Sequence, residues 1–363
     1  MTDIAKIVGV SQSTVSLVLN HVGGAKLSRA TRDRVIDVAG ELGYQLTRRA
    51  SSPVSAPVNA RNVIVYIADE ISTSPHPAIT IDGAREAAWE HNCLVSVFST
   101  RGDTELELAA LQSAVLNPMV LGIVYATIFT RSVDLPGPLV ARGAPRSVLL
   151  NCYDAERRLP SVIPGEVGGG FAGTDHLIAQ GHTRIGFING EPWMDASRDR
   201  ERGYRQALAT ADLPFDARLV REGDWMSGTG FAHASDLLAL ERPPTAIFCA
   251  NDLMALGALD AACERGLRVP RDLSILGYDD QEIARHAHPP LTTVLLPNFA
   301  MGRWAVEQLI RDVTTKPDAP PMRQRRQMKI DCPLVERDSV APPSRQTSSG
   351  HPRPITNEVP VDS

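Results

Sequence analysis

The stretch IAKIVGVSQSTVSLVLN, residues 4–20, decides how the N-terminal part of this chain folds. Gly9 and Val10 mark a tight turn between two helical segments. Ser11 is a suitable N-cap for the second segment, because its hydroxyl can accept a hydrogen bond from an otherwise unpaired amide. Val15, Val18 and Leu19 follow at the spacing i, i+3 and i+4, which places them on one apolar face. The stretch therefore predicts a helix-turn-helix.

The opposite face of the second helix carries mostly short polar side chains. A small helix that presents such groups from its first turn fits the floor of the DNA major groove. The side chains left on this outer face are Gln12, Ser13, Ser16, Leu17 and Asn20. The helix-turn-helix is therefore a candidate DNA-binding element.

A third helix and a linker complete the N-terminal region, which we place at residues 1–46. Ser28 is a plausible N-cap, the apolar residues after it repeat at helical spacing, and Gly43 is a suitable C-cap. We expect the three helices to share a core of Ile4, Ile7, Val15, Leu19, Val35 and Leu42. Residues 47–61 lose this periodicity and are rich in Ser, Pro and Ala, as is typical of a hinge or linker.

Charge is distributed unevenly along the 363 residues, whose formal net charge is −5. The first 50 residues contain seven Lys and Arg against four Asp and Glu, so they carry +3 and the remainder carries −8. A basic N-terminal region on an acidic body indicates that any nucleic-acid contact is confined to one end.

The composition points to a cytoplasmic protein. The five cysteines show no C-x-x-C pairing and are expected to be buried thiols in a reducing compartment. The sequence shows no charged-then-apolar leader and no apolar run of about 18 residues, so we expect neither secretion nor a membrane partner.

From residue 62 onward, short β-rich runs alternate with amphipathic helical stretches. The runs are VIVYI (63–67), CLVSVF (93–98), GIVYA (122–126), SVLLN (147–151), RIGFI (184–188), RLV (218–220), AIFCA (246–250) and LSILGY (273–278). The helical stretches lie near 79–91, 104–116, 168–180, 199–211, 229–240 and 252–265. This alternation predicts an α/β fold with parallel sheets covered by helices.

Eight strands exceed one comfortable open sheet, so we expect a two-lobed core over residues 62–340. Lobe 1 is placed at about 62–164 and 296–328, and lobe 2 at about 165–295 and 329–340. TTVLLP (292–297) and a helix at 298–314 are expected to form the crossing back to lobe 1. Residues 341–363 have no apolar pattern and are expected to be disordered.

Polar and aromatic residues follow the carboxyl ends of the predicted strands, where open parallel sheets bind ligands. They are Asp69, Glu70, Ser99, Arg101, Asn151, Asn189, Glu191, Arg198, Arg200, Asp224, Trp225, Asn251, Asp252, Asp279 and Asp280. Carboxylates, amides and arginines that face one aromatic ring suit a sugar or polyol.

Structural roles compete with ligand binding at each of these positions. Asp252 could be a helix N-cap, as could Asp279. Arg200 could lie on a solvated helix face, and Trp225 could be a core residue. The ligand interpretation therefore depends on all of these residues falling at strand ends.

Two further motifs favour structural interpretations. Residues 168–173, GGGFAG, match G-x-G-x-x-G, but no strand runs directly into the first glycine, so close helix packing is favoured over dinucleotide binding. His286 and His288 have no further Cys or His nearby, so no metal site is expected. The sequence also has no G-x-S-x-G elbow and no P-loop. We expect no cofactor.

Seven stretches together resemble the lactose-repressor (LacI/GalR) family of transcriptional regulators. They are DIAKIVGVSQSTVSLVLN, LSRATRDRVIDVAGELGY, GHTRIGFING, SRDRERGYRQAL, PTAIFCANDLMALGAL, VPRDLSILGYDD and PPLTTV, in order over about residues 3–335. The resemblance implies a helix-turn-helix head, a hinge, and a core similar to periplasmic sugar-binding proteins. It also implies a homodimer, or a tetramer formed from two dimers, that binds near-palindromic double-stranded operator DNA, with a small effector between the lobes.

The matching motifs also imply residue roles. The residues at base-reading positions are Gln12, Ser13, Ser16 and Leu17. Those at phosphate-binding positions are Ser11, Thr14, Asn20, Ser28 and Thr31. Those at effector positions are Asn151, Arg200, Trp225, Asn251 and Asp279.

Three departures from the family pattern affect the DNA-binding region. The first helix is about one turn short at its start. Leu17 stands where an arginine is frequent, and leucine can contact a thymine methyl but cannot make a bidentate contact to guanine. Pro53 confines any hinge helix to residues 48–52, so we expect Arg48 and Arg49 to bind phosphates rather than a side chain to wedge into the minor groove.

The sequence thus predicts a DNA-binding transcriptional repressor that is controlled by a sugar-like effector and has no catalytic activity. Two alternatives remain open. A solute receptor would share the core but would need an export signal and no DNA-binding head. An α/β enzyme acting on a sugar would use the strand-end carboxylates as an acid–base pair.

Overall fold

The computed structural model describes residues 2–19, 28–41, 62–314 and 327–344. The chain divides into two compact units, Met1–Ala60 and Arg61–Ser363, and each is described by itself.

The N-terminal unit is a three-helix bundle of α1 (Thr2–Val8), α2 (Gln12–Leu19) and α3 (Arg29–Glu41). Gly9 ends α1 with a φ of +76°, a left-handed conformation that glycine adopts without a steric penalty. The buried core contains Ile4, Ala5, Val15, Val18, Val35, Val38 and Ala39. The predicted helix-turn-helix is therefore present in the structure.

The prediction that Ile7 belongs to this core is wrong, because its side chain is 53% exposed. The buried face of α1 is formed by Ile4 and Ala5, with Val8 partly buried. At 100° per residue, Ile7 points well outside the arc that these three residues span. The side chains of Leu19 and Leu42, also predicted for the core, lie outside the described residues.

The second unit contains twelve described strands. Most predicted strands are confirmed with small shifts of their ends, but β3 continues six residues beyond its predicted end, and the predicted strand 218–220 overlaps β7 only at Val220. The strands are β1 (Asn62–Ala68), β2 (Cys93–Ser99), β3 (Val120–Ser132), β4 (Arg146–Tyr153), β5 (Ser161–Pro164), β6 (Ile185–Asn189), β7 (Val220–Glu222), β8 (Ala246–Cys249), β9 (Ser274–Asp279), β10 (Thr292–Leu295), β11 (Gln327–Ile330) and β12 (Leu334–Val335).

Helices connect these strands and cover the sheets. They are α4 (His76–Glu90), α5 (Thr104–Leu116), α6 (Gly137–Val140), α7 (Glu166–Ala179), α8 (Asp195–Thr210), α9 (Ser227–Leu238), α10 (Asp252–Glu264), α11 (Glu282–His286) and α12 (Asn298–Thr314). A 3₁₀ turn at Ala217–Leu219 occupies most of the predicted strand 218–220, so β7 begins two residues later than predicted.

The strands form two six-stranded sheets with the same topology. The orders are β11-β5-β4-β3-β1-β2 in the first lobe and β12-β10-β9-β8-β6-β7 in the second. All pairings between the described strands are parallel except that of β10 with β12. The strand order reverses between β1 and β3 in the first sheet and between β6 and β8 in the second. In this fold class, ligands bind at such a reversal, in the crevice beyond the carboxyl ends of the strands. The predicted α/β fold with a two-lobed core is confirmed.

The chain crosses between the lobes three times. β5 is followed by α7, which packs against α8 in the second lobe. β10 still belongs to the second sheet, so only α12 crosses back, where it packs on α4. β11 extends the first sheet to Ile330 and β12 joins the second, which places this crossing slightly later than the 328/329 boundary predicted from sequence.

The start of the predicted disordered tail is ordered. The backbone amide of Ala341 donates to Ser274 Oγ at 3.1 Å, and its carbonyl lies 3.0 Å from His182 Nε2. Residues 345–363 lie outside the described residues. Within the described ranges, no helix is long and apolar enough to cross a membrane.

The glycine-rich segment 168–173 allows α7 to lie directly on α8. A Cβ at Gly170 would be 2.2 Å from the Arg200 carbonyl oxygen, and one at Gly173 would be 2.8 Å from the Phe248 ring. The helix-packing interpretation of this motif is confirmed. This close packing also brings the first turn of α7 beside Arg200.

Candidate functional site

Both helices α2 and α3 of the N-terminal unit begin with the same Ser-x-x-Thr cap. Ser11 Oγ accepts a hydrogen bond from the Thr14 amide, and Ser28 Oγ accepts one from the Thr31 amide, each at 3.1 Å. The hydroxyls of each Ser–Thr pair also lie within 2.9 Å of each other. Ser11 and Ser28 are thus N-caps. All four residues of these two pairs were predicted to bind phosphate, and they stand at helix N-termini, where anions bind.

Gln12, the first residue of α2, has an exposed side chain. The other positions predicted to contact DNA cannot be placed: the side chains of Ser13, Ser16 and Leu17, and all of Asn20, Arg48 and Arg49, lie outside the described residues.

In the second unit, the carboxyl ends of the two sheets face each other across a cleft. Contacts between described residues join the lobes, and they include an ion pair, a hydrogen bond and an aromatic contact. His76 Nε2 lies 3.4 Å from Asp279 Oδ2, and the Tyr153 hydroxyl donates to Asp195 Oδ2 at 2.8 Å. The Phe129 and Trp193 rings meet edge to face, with centroids 6.1 Å apart.

Arg200 lies at the centre of the second-lobe side and is only 3% exposed. Its Nε and Nη2 donate to the two carboxylate oxygens of Glu166 at 2.8 and 2.9 Å, and Nη1 donates to the Ala250 carbonyl. The guanidinium also stacks on Tyr278, 3.6 Å from the ring centroid. Burial disfavours the charged guanidinium, but Glu166, Tyr278 and Asp279 together outweigh burial and raise the pKa of Arg200.

Asp279 ends β9 beside this arginine and is 7% exposed, with φ at +107°. Its Oδ2 accepts from Gln281 Nε2 at 3.1 Å. Its Oδ1 is 3.6 Å from Arg200 Nη1 and accepts no hydrogen bond from the described residues. Asp279 Oδ1 can therefore accept a hydrogen bond from a ligand.

Asp252 is a second buried carboxylate in this cluster, and the alternative that it caps α10 is wrong. Asn251 is the N-cap, since its Oδ1 accepts from the Met254 amide at 2.8 Å. Asp252 instead accepts from Thr293 Oγ1 at 2.6 Å and from the Gln281 amide at 2.8 Å. Burial and the nearby Asp279 raise the pKa of Asp252 to about 8.

Trp225 packs beside Arg200, whose guanidinium carbon lies 5.5 Å from its ring centroid. The side-chain amide of Asn251 donates to the Trp225 carbonyl at 2.8 Å and fixes the backbone there. A Cβ at Gly190 would be 1.9 Å from the indole, so glycine is required for the ring to take this place. Nε1 is buried and donates to no described residue.

Asn151, the fifth predicted effector residue, lies on the first-lobe side, and its side chain is bound within its own lobe. Oδ1 accepts from Thr130 Oγ1 at 2.6 Å, and Nδ2 donates to the carbonyls of Thr127 and Ile128 at 3.0 and 2.9 Å. Asp69 Oδ1 accepts from the Ile128 amide at 2.8 Å. These residues shape the segment that presents Phe129 to the second lobe.

A small open pocket lies against this first-lobe side. Its lining includes His76, Asn151, Asn298, Glu70 and Thr127. Asn298 Nδ2 donates to His76 Nδ1 at 3.0 Å, which leaves Nε2 as the protonated nitrogen that faces Asp279. Arg200, Trp225, Asn251 and Asp279 thus cluster on one side, with Asn151 across the cleft.

Sequence reasoning missed two residues of this site. His76 begins α4 after a loop, and Glu166 begins α7 directly after β5. Because β5 was not predicted, the residues that follow it were not expected at the sheet edge. A strand assigned to SVIP (161–164) would have placed Glu166 among the candidates.

Metal ligands are not clustered, and few thiols are accessible, in the part of the chain that the structure describes. No group of three or more His, Cys, Asp or Glu residues there could hold a metal ion. The described cysteines are free thiols, of which only Cys263 is exposed.

Known proteins match both units. Residues 1–46 match the family model described as bacterial regulatory proteins, lacI family, and residues 174–340 match the periplasmic binding protein-like domain. The HTH-type transcriptional repressor PurR of Aliivibrio fischeri (strain MJ11) is 30% identical over 353 residues, which cover 93% of this chain and 97% of PurR. The repressor CytR of Escherichia coli K12 is 31% identical, covering 94% of this chain and 96% of CytR.

Solved structures show the same relationship. The complex of the transcriptional regulator CelR with cellobiose matches with a TM-score of 0.62 and 29% identity over 93% of this chain and 98% of CelR. The lac repressor dimer bound to operator and the anti-inducer ONPF gives 0.62 and 27% over the same shares. The curated relatives named here are repressors and not enzymes. The chain therefore belongs to the lacI family of bacterial regulatory proteins, DNA-binding transcriptional regulators with a small-molecule effector site in the core.

Proposed function

We propose that this protein is a cytoplasmic repressor whose affinity for operator DNA is controlled by a sugar or sugar derivative bound between the two lobes. The observation that carries the proposal is the cluster of Arg200, Trp225 and Asp279 on the second lobe, opposite His76 of the first. These residues combine charged donors and acceptors with an aromatic ring at the carboxyl ends of parallel strands, where ligands bind in this fold class.

A sugar fits this chemistry well. Hydroxyl groups act as both donors and acceptors, so one sugar can donate to Asp279 Oδ1 and accept from a guanidinium. Its C–H faces pack on an indole such as Trp225. The complex of a relative with cellobiose supports the same class of ligand.

DNA binding is assigned to the N-terminal unit. We propose base contacts from Gln12, Ser13, Ser16 and Leu17, and phosphate contacts from Ser11, Thr14, Asn20, Ser28, Thr31, Arg48 and Arg49. The two Ser-x-x-Thr caps support the phosphate role, because helix N-termini bind anions.

A homodimer would connect effector and operator. Two heads bind together only when their spacing matches successive major grooves, about 34–36 Å apart. An effector that prefers one arrangement of the lobes shifts the dimer between a matched and a mismatched spacing. Assembly into a tetramer would pair two such dimers.

The edge of the first sheet supports dimer formation. β2 is an edge strand that exposes Leu94 and Phe98 on one face of the sheet and Val97 on the other. Exposed apolar side chains at a sheet edge favour protein contact. We propose a second copy of this chain as the partner, in line with the dimer seen in the lac repressor structure. Val97→Lys should then lower the mass measured by sedimentation to that of a monomer.

The experiment that tests the function joins operator binding to ligand binding. Operator fragments selected from random DNA are titrated with full-length protein by fluorescence anisotropy, with and without neutral sugars that raise its melting temperature. A stabilising sugar should change operator affinity about tenfold or more. Asp279→Ala should lose the sugar response but keep operator affinity, whereas Gln12→Ala should lose operator preference and keep the sugar response.

Glu264→Gln, an exposed change on α10, serves as the control and should leave both measurements unchanged. If sugars neither stabilise the protein nor alter its affinity for DNA, the effector class is wrong. If no DNA fragment is selected, the repressor function itself is contradicted.

A further inference from the structure

Arg200 would by itself make the cleft a site for anions. A buried guanidinium matches carboxylate and phosphate groups in a bidentate geometry, and burial strengthens the attraction. An arginine in the centre of an effector site therefore predicts a sugar acid or sugar phosphate as readily as a neutral sugar. The surroundings of Arg200 decide between these classes.

Glu166 already occupies the guanidinium edge that an anion would use. Its two oxygens accept from Nε and Nη2 of Arg200, and both side chains are 4% exposed. Glu166 is the first residue of α7, where the positive end of the helix dipole also stabilises its negative charge. The cation of the site is therefore neutralised by the protein itself.

Asp279 adds further negative charge beside the same arginine, with its Oδ1 3.6 Å from Arg200 Nη1. From the other lobe, His76 Nε2 approaches Asp279 Oδ2 at 3.4 Å. Asp279 Oδ1 accepts no hydrogen bond from the described residues, although it is buried. A buried acceptor without a partner favours a ligand that brings a donor.

We propose that Glu166 determines the charge of the effector: by holding Arg200 in a bidentate ion pair, it restricts the cleft to ligands that are neutral or carry a protonated amine and excludes carboxylates and phosphates. The inference deepens the proposed function and rests on the cleft being the effector site. A ligand hydroxyl or ammonium group donates to Asp279, whereas an anionic group meets carboxylates without a free cation.

Inorganic phosphate is the probe for this charge selection, since it requires no knowledge of the effector. The melting temperature of the full-length protein is measured at pH 7 in increasing sodium phosphate, against sodium chloride of equal ionic strength. The wild type should show no saturable stabilisation by phosphate. Glu166→Gln removes the carboxylate that occupies the bidentate edge of Arg200, so phosphate should bind at least about tenfold more tightly than to the wild type.

Glu90→Gln is the matched control. It removes a carboxylate from another bidentate arginine pair, in which Arg303 donates to Glu90 at 3.1 and 2.7 Å on the surface of the first lobe. This variant should respond to phosphate like the wild type. The gain in phosphate affinity that is expected for Glu166→Gln should disappear in the double variant Glu166→Gln/Arg200→Lys, because lysine cannot bind phosphate in a bidentate geometry.

A second measurement covers the case in which Glu166→Gln does not fold. Wild-type protein is titrated by calorimetry with matched sets such as D-glucose, D-glucosamine and D-gluconate, extended to other sugars. Every ligand that binds should be neutral or amine-bearing, with the matching acid weaker by about tenfold or more. An acid that binds as well as its neutral parent, or saturable binding of phosphate to the wild type that Arg200→Lys removes, overturns the inference.

The two proposals fail in different ways. If no sugar of any charge binds, the sugar-effector proposal fails, while the phosphate titration of Glu166→Gln still tests the role of Glu166. If neutral and acidic sugars bind equally well, the effector site stands and the charge selection is wrong.

Discussion

The two lobes have the same strand order but place different chemistry at their carboxyl edges. In the first lobe, Thr130 and Asn151 bind each other, and Asn151 and Asp69 bind the backbone of Thr127 and Ile128. In the second lobe, Glu166 balances the buried charge of Arg200, whereas Asp279 Oδ1 is buried and accepts no hydrogen bond from the described residues. The fold fixes where these groups stand, and the neighbouring residues fix whether they are available to a ligand.

The reason for this difference lies in the length of one strand. β3 continues to Ser132 after an irregularity between Ala126 and Arg131, and this extension pairs with Cys152 and Tyr153 at the carboxyl end of β4. The corresponding strand of the second lobe, β8, ends at Cys249 and leads directly into Asn251 and α10. The first lobe thus forms a shaped wall, and the second lobe carries the charged cluster that we propose as the recognition surface.

Removing the cation on each side is the strongest way to test this comparison. Arg200→Met should reduce the free energy of unfolding by about 3–5 kcal/mol, because Glu166 and Asp279 remain buried without their partner. Arg131→Met in the first lobe removes the partner of Asp69, but Arg131 is 44% exposed, so the loss should be at most about 1 kcal/mol. Urea unfolding followed by far-UV circular dichroism measures both, and equal losses would contradict the comparison.

Asn151 tests whether the first-lobe wall depends on its internal hydrogen bonds. Asn151→Asp removes the donor to Thr127 and Ile128 and places a charge against their carbonyls, so stability should fall by about 1–3 kcal/mol. Asn92→Asp is the control, since Asn92 shares the φ of +57° in the same lobe but is exposed. Urea unfolding should separate the two variants clearly. Similar stability would show that the wall does not need these bonds.

The fold was largely predictable because burial dictates its pattern. Strands such as β1, β8 and β9 are short apolar runs between polar turns, and their alternation with helices leaves parallel sheets as the solution. The strands that were missed carry little of this signal. β5 contains a proline in four residues, and β12 has two residues paired antiparallel at a sheet edge.

The site was predictable only where a predicted strand pointed to it. Arg200, Trp225, Asn251 and Asp279 follow predicted strands and do cluster. Local sequence could not show which neighbouring side chain takes the capping role, so Asn251 and Asp252 exchange the roles expected for them. Nor could it show that Asn151 is used within its own lobe, because its partners are more than 20 residues away.

Asp252 makes the second lobe sensitive to pH. Burial and Asp279 raise its pKa to about 8 in the folded protein, against about 4 in the unfolded chain. The folded state therefore binds the proton more tightly, and stability falls as the pH rises from about 4 to about 8. Asp252→Asn should flatten this decline by on the order of 3 °C in melting temperature between pH 5 and pH 8.

Calorimetric scans at both pH values measure this effect. Asp260→Asn, an exposed change on the same helix, should retain the decline of the wild type. A variant of Asp252 whose melting temperature falls as steeply as that of the wild type would show that another group causes the pH dependence.

The aromatic contact between Phe129 and Trp193 tests whether the lobes are coupled without a ligand. The rings belong to opposite lobes, and both are partly exposed, so their coupling should lie at the low end of about 0.5–1.5 kcal/mol. A double-mutant cycle of Phe129→Ala and Trp193→Ala, measured by urea unfolding and circular dichroism, gives this energy. The cycle of Phe129→Ala with Phe215→Ala is the control, because Phe215 packs on Tyr204 and Arg205 instead. In this control cycle the two losses of unfolding free energy should add within about 0.5 kcal/mol. If both cycles give the same coupling energy, the Phe129–Trp193 contact does not couple the wall to the recognition surface.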